Sequence, residues 1–156
     1  MPLKIRVIRN YQFLIIDLWE KEMKLMEWSD TLDVGVTSMN HQHKKLLDLM
    51  NRLYEGKTNG APFDSLIPIL SELKSYTIEH FQEEEKFMES INYSGIASHK
   101  IIHQQLLSKF GEQENLILDT RTFPDSFFSF LKVWLSAHIQ GIDMKYGLES
   151  QSKQAV

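Results

Sequence analysis

From residue 39 onward, apolar side chains recur at spacings of three and four, the period that turns one face of an α-helix toward a core. Four such stretches follow one another. The first covers residues 40–55, with Leu46, Leu47, Met50, Leu53 and Tyr54 on one face. Gly56, Asn59, Gly60 and Pro62 break it. The second opens at Asp64 or Ser65, either of which can cap a helix, with Pro68 early enough to be tolerated. It carries Leu66, Ile69, Leu70, Leu73, Thr77, His80, Phe81, Glu84, Phe87 and Met88. After a break at residues 92–95, the third spans residues 96–118, with His99, His103, Leu106, Leu107 and Phe110 on one side. A turn at residues 120–124 leads to the fourth, residues 125–146, which turns Phe127, Phe128, Leu131, Trp134, Leu135, His138 and Ile142 inward. The pattern predicts an all-α protein, an antiparallel up-down four-helix bundle with short connections.

Upstream, residues 24–38 contain Trp28 and Val34-Gly35-Val36 and read as an ordered N-terminal arm. The predicted organisation is an N-terminal extension (residues 1–22), a bundle domain (23–148) and a polar tail (149–156), with fraying expected after Gly147. The apolar stretch at residues 11–19 is interrupted by Asp17; it is too short and too charged to span a bilayer, and no small-residue cleavage site follows it. It reads as an extra amphipathic segment or as sequence ahead of the true start, with Met23 and Met26 as alternative starts.

Composition narrows the function. The 156 residues suffice for one domain with its own core. A net charge of −4 and no cluster of Lys and Arg argue against nucleic acid as a partner. The chain has no cysteine, which removes disulfides, thiolate zinc sites, iron–sulfur clusters and covalent haem attachment. That fits a reducing compartment, and a cytoplasmic protein is expected.

Of the six histidines, five sit on the apolar faces. His43 lies on the first helix; His80 and Glu84 form an HxxxE pair on the second; His99 and His103 form an HxxxH pair on the third. A spacing of four turns a helix by about 400°, so both members of a pair point the same way, one turn apart. His138 and Asp143 on the fourth are five apart, a turn of about 500° that would put Asp143 off the face of His138. A departure from i→i−4 bonding is therefore predicted near Ile139 to Asp143, either a π-bulge or a loosened helix end. Seven polar groups in one core are costly unless paired, and a metal ion would satisfy them together.

Five imidazoles and two carboxylates without thiolate suit iron, zinc, copper or manganese. Seven donors exceed the four of a structural zinc site. They match two six-coordinate ions with shared bridges and one open position. A carboxylate can span two ions and a neutral imidazole cannot, so Glu84 and Asp143 are the expected bridges, with the histidines split three and two. His99 and His103 go together by spacing; His43, His80 and His138 are left open.

At these residues the chain resembles the hemerythrins, specifically the single-domain bacterial kind. The matching segments are WSDTLDVGV, QHKKLLDLMN, HFQEEEKFM, Tyr93 followed by HKIIH, and FLKVWLSAHIQGIDMKY, within residues 26–146. The resemblance implies two non-haem iron ions joined by an oxo or hydroxo bridge. One would be held by His99, His103 and His138 and the other by His43 and His80, with Glu84 and Asp143 bridging. It also implies reversible dioxygen binding at the two-histidine iron, in a dry pocket to which Leu135 corresponds. Leu46, Phe81, Trp134 and Ile139 lie beside ligands in the sequence and can complete that wall. Two departures stand out: Met39-Asn40 where the family often has Ile-Asp, and Tyr93-Ser94 where it often has Tyr-Pro. Asn40 can still cap a helix, but a carboxylate near the ligands is lost. His41 matches no ligand position and is expected on the surface.

Three functions compete: a dioxygen carrier or store, an enzyme reducing peroxide or nitric oxide, and a sensing interaction module. The carrier is preferred over an enzyme because the sequence offers no spare inward acid or base. Ferritin-like oxidase chemistry is disfavoured by the lack of any Glu-x-x-His pair, and a zinc protease by the lack of HExxH.

Overall fold

Pro62 and Pro124, each with the fixed φ of proline, stand immediately before two of the helices and set where they begin. The structure, a computed structural model, describes residues 24–154. Helices α1 (Thr37–Thr58), α2 (Phe63–Ser90), α3 (Ile96–Thr120) and α4 (Asp125–His138) follow in order. A π-helical turn, Ile139–Asp143, continues α4 into α5 (Met144–Gln154), so these three segments form one rod. The result is an all-helical four-rod bundle, with no strand among the described residues. Connections of four or five residues leave each rod antiparallel to the last. Asn92 and Arg121, at φ 49° and 50°, reverse the chain after α2 and α3.

The two ends of the bundle differ in chemistry. At one end, Tyr54, Phe63, Phe110, Phe123, Phe127 and Phe128 pack edge-on or tilted, with ring centroids 5.2 to 6.3 Å apart. At the other lie the N-terminal halves of α1 and α3 and the C-terminal ends of α2 and α4, which carry the histidines. Apolar packing at the first end fixes the spacing of the rods, and that spacing sets how closely donors at the second can approach.

Several local expectations change. Val36 and Pro62 hold the N-cap positions of α1 and α2, so Asn40, Asp64 and Ser65 are not caps. Asn40 instead ties down the arm: its Oδ1 accepts the Val34 N–H at 3.0 Å and its Nδ2 donates to Asp33 Oδ1 at 2.7 Å. Ser65 Oγ donates to the Pro62 carbonyl at 2.6 Å, and Asp64 pairs with Arg121. Ile142, expected inward, is half-buried, because the wider π turn rotates the face that follows it. The polar tail does not fray where expected: α5 continues to Gln154. Lys153 Nζ donates to the carbonyls of Ile91 and Asn92 at 2.7 and 2.9 Å, and Glu149 accepts from the N–H and Oγ of Ser94 at 3.2 and 2.7 Å. These bonds join α5 to the α2–α3 loop.

The arm, with a short 3-10 turn at Asp30–Leu32, buries Leu32 and Val34. Gly35 takes φ 73°, a left-handed conformation that favours glycine. Gly147 makes room for the arm, since a β-carbon there would stand 1.9 Å from the Val34 carbonyl oxygen. Residues 1–22 and Met23 lie outside the described residues. Among those described, no helix is long and apolar enough to cross a membrane.

Alanine in a helix normally outperforms glycine by about 1 kcal/mol. At position 147 the clash with backbone should outweigh that gain. Gly147→Ala is expected to lower stability by about 1 to 3 kcal/mol in urea denaturation; a stability equal to or above the parent's would contradict the seating of the arm.

Candidate metal centre

His43, His80, Glu84, His99, His103, His138 and Asp143 converge between the rods, and none is more than 4% exposed. Every rod contributes. The Nε2 atoms of the histidines face the carboxylates, and the carboxylate oxygens divide between two sets of histidines. Glu84 Oε2 lies 3.0 Å from His103 Nε2, 3.4 Å from His99 Nε2 and 3.9 Å from His138 Nε2. Glu84 Oε1 lies 3.8 Å from His43 Nε2 and 3.9 Å from His80 Nε2. Asp143 repeats the division: Oδ1 is 3.0 Å from His138 Nε2 and 3.2 Å from His99 Nε2, and Oδ2 is 3.3 Å from His43 Nε2. Two donors each about 2.1 Å from one ion, at right angles, stand about 3 Å apart. Two groups have the spacing of a cation site, Glu84 with His99, His103 and His138, and His43 with His80 and Glu84.

Asp143 reaches this centre through the π turn. The Met144 N–H donates to the Ile139 carbonyl, five residues back, and the wider turn brings Asp143 over His138 in spite of the spacing of five. The predicted departure from α-helical bonding therefore exists, at the expected residues, and takes the π form.

Buried donors without partners show what the centre lacks. Glu84 Oε2, both oxygens of Asp143, and the Nε2 atoms of His43, His99, His103 and His138 have no hydrogen-bond partner among the described residues. A buried unpaired carboxylate is costly, and here only histidines stand within ion-pair distance of Glu84 and Asp143. A cation fits this donor set. Without one, protons take its place. Burial alone would lower the pKa of His138, but Asp143 and Glu84 outweigh it and hold the imidazole at about 10. His43 and His99 are raised by the same carboxylates against the same effect of burial. His80 goes the other way: burial lowers it to about 4, so it is neutral and ready to coordinate. Both carboxylates are held ionised, because the histidines around them overcome the effect of burial.

Three further side chains touch this set, and sequence reasoning assigned none of them a role. Tyr146, fully buried, donates from its hydroxyl to Glu84 Oε1 at 2.6 Å. Burial, reinforced by the charges of Glu84 and Asp143, raises its pKa far above the ordinary phenol range, so it keeps that proton. Gln42 Oε1 stands 2.8 Å from His80 Nδ1, and Glu85 Oε1 stands 2.9 Å from His103 Nδ1. Both Nε2 atoms face inward, so the Nδ1–H donates in each case. The available signal was adjacency: Gln42 precedes His43, Glu85 follows Glu84, and Tyr146 lies three residues past Asp143.

The five expected pocket residues, Leu46, Phe81, Trp134, Leu135 and Ile139, are all buried in the one core cluster. Phe81 is the best placed. Its ring stacks on His103 at 3.8 Å, stands 5.7 Å from His80 and from His138, and meets Trp134 edge-on at 6.2 Å. His41 is exposed, as expected.

A helical bundle whose four rods all turn imidazole or carboxylate groups into one buried cluster defines a cation-binding α-protein. The Hemerythrin HHE cation binding domain matches residues 34–147, and the chain belongs to that hemerythrin family. It is 28% identical to a bacteriohemerythrin of Stenotrophomonas maltophilia over 124 residues, 80% of each chain. It is 30% identical to a bacteriohemerythrin of Clostridium acetobutylicum over 76% of this chain and 96% of that one. A hemerythrin-like protein of Naegleria gruberi is 33% identical over 76% of this chain and 88% of its own.

The raised histidines give the centre a pH dependence of known sign. In the metal-free fold His138 goes from an ordinary value of 6.5 to about 10, so its ion pair with Asp143 stabilises fully below pH 6.5 and is lost as pH rises through about 10. A cation must displace that proton. Affinity for ferrous iron, measured anaerobically against a competing chelator, should therefore rise at least about tenfold per pH unit from pH 6.5 to 9. An affinity independent of pH would show that no proton is displaced.

Proposed function

We propose that the centre holds two iron ions, bridged by Glu84, Asp143 and an oxo or hydroxo group, and that it binds dioxygen reversibly for storage, delivery or sensing. The observation that carries this reading is the division of the carboxylate oxygens. Oε1 of Glu84 and Oδ2 of Asp143 face His43 or His80, whereas Oε2 and Oδ1 face His99, His103 and His138. One ion then has three imidazoles and its share of the bridges. The other has two, which leaves a coordination position for a small ligand. The names of the bacteriohemerythrins that the chain resembles point the same way.

When bound, the iron pair would supply the electrons that dioxygen accepts on binding and returns on release. The chain's own residues do the rest. His43 and His80, with Glu84, would hold the ion that has the smaller set of imidazoles. Leu46, Phe81, Trp134, Leu135 and Ile139 keep water away from it, which slows irreversible loss of the reduced ligand. Tyr146 holds a proton at Glu84 Oε1, the oxygen on the two-histidine side, and so fixes the rotation of that carboxylate. Among the described residues, the buried side chains outside the ligand set that carry a polar atom are Thr77, Tyr93, Trp134, Tyr146 and Ser150, with Tyr146 tied to Glu84. None is a carboxyl or imidazole group, which favours a carrier over a catalyst. A cytoplasmic setting fits the cysteine-free chain.

Purified protein should hold two irons per chain, and His103→Ala should sharply reduce that number; an unchanged count would refute the assignment. Leu135→Ala should open the pocket to water and speed autoxidation of the dioxygen adduct several-fold while the helical circular dichroism is retained. An autoxidation rate equal to the parent's would remove Leu135 from the pocket.

A further inference from the structure

Two of the five inward histidines have a side-chain partner on the outward nitrogen, and the two partners differ in charge. His103 Nδ1 lies 2.9 Å from the carboxylate of Glu85, and His80 Nδ1 lies 2.8 Å from the amide oxygen of Gln42. The Nδ1 atoms of His43, His99 and His138 have no partner among the described residues. On the proposed division of ligands, each half of the centre thus has one supported histidine. The three-histidine half is supported by an anion and the two-histidine half by a neutral dipole.

We infer that Glu85 and Gln42 are positioning residues that decide which of the two iron ions is oxidised first; this rests on the two-iron reading above. A carboxylate that accepts the Nδ1–H draws the proton away and enriches the ring, so Nε2 becomes a stronger donor to its metal. A stronger, more anionic donor favours Fe(III) over Fe(II). The amide of Gln42 fixes the tautomer and orientation of His80 but adds no charge. The difference acts in the same direction as the count of imidazoles. Withdrawal of one electron, Fe(II) to Fe(III), therefore takes place at the ion of His99, His103 and His138. The ion of His43 and His80, which has the free position, stays ferrous until the second electron leaves. Lys100, whose Nζ is 3.8 Å from the other oxygen of Glu85 and 2.7 Å from Glu89, moderates the charge without removing the contact with His103.

The difference is readable by charge exchange at either partner. Both sit at the edge of the site, half-buried, so substitution there leaves the core packing in place. The holoprotein is titrated anaerobically with ferricyanide, which takes up one electron per step, while the two potentials and the resonance spectrum of the half-oxidised pair are recorded. Glu85→Gln should raise the first potential by the equivalent of about tenfold in the equilibrium, 59 mV for one electron. Gln42→Glu should lower the second by a similar factor, narrowing the gap and changing the half-oxidised spectrum. Gln42→Glu removes no hydrogen-bond acceptor, so it carries the test alone if Glu85→Gln sheds iron. Potentials that stay fixed, or shift in the same direction in both variants, with two irons still bound, would overturn the inference. A parent protein that does not hold two irons would instead overturn the reading on which it rests.

Discussion

Glu84 and Asp143 are two carboxylates with no exposure, and no lysine or arginine among the described residues lies within ion-pair distance of either. Taking a single ion out of water costs several kcal/mol even after the protein relaxes. Five imidazoles surround the pair, and they meet this cost only by taking up protons or by sharing a cation with it. The design of the bundle follows from that constraint. Each rod must bring its donors to the same level, which antiparallel rods achieve by using the start of α1 and α3 and the end of α2 and α4. The aromatic cluster at the far end then sets rod spacing without placing any polar group near the centre.

The last rod shows how closely fold and site are coupled. The π turn at Ile139–Asp143 brings Asp143 inward, and three residues later Tyr146 reaches Glu84 from the same rod. The next residue, Gly147, leaves room for the Val34 carbonyl and so seats the arm. Beyond it, Glu149 and Lys153 fasten the rod to the loop before α3. A shift of α5 would therefore disturb Asp143, the hydrogen bond from Tyr146 to Glu84 and the seat of the arm together. Holding seven donors at fixed distances needs this kind of support, since a loosely held ligand set binds weakly.

Much of this was legible in the sequence. The four periodic stretches locate the rods to within a few residues, and the histidine spacings pick out the donors and even the irregular turn before Asp143. What was not legible has physical reasons. Asn40, Asp64 and Ser65 look like caps, but Val36 and Pro62 start the helices a turn earlier and the polar side chains take other partners. The tail past Gly147 has no apolar stripe, because its buried residue is Ser150 and its anchors are hydrogen bonds made by Glu149 and Lys153. Glu85 and Gln42 carry no signal of their own in the sequence, since only the fold brings them against rings on other rods. Tyr146 lay within a recognised segment, yet its role depends on a contact with a residue 62 positions away.

In the proposed function, the unequal halves of the centre leave one iron with a free, dry position for dioxygen. This reading is tested most directly by reducing the iron-loaded protein anaerobically, admitting air and recording the visible spectrum through repeated cycles of oxygenation and removal. The expected result is a charge-transfer band that appears with air, disappears when oxygen is removed and returns undiminished in the next cycle. A single irreversible oxidation on first contact with air would contradict it.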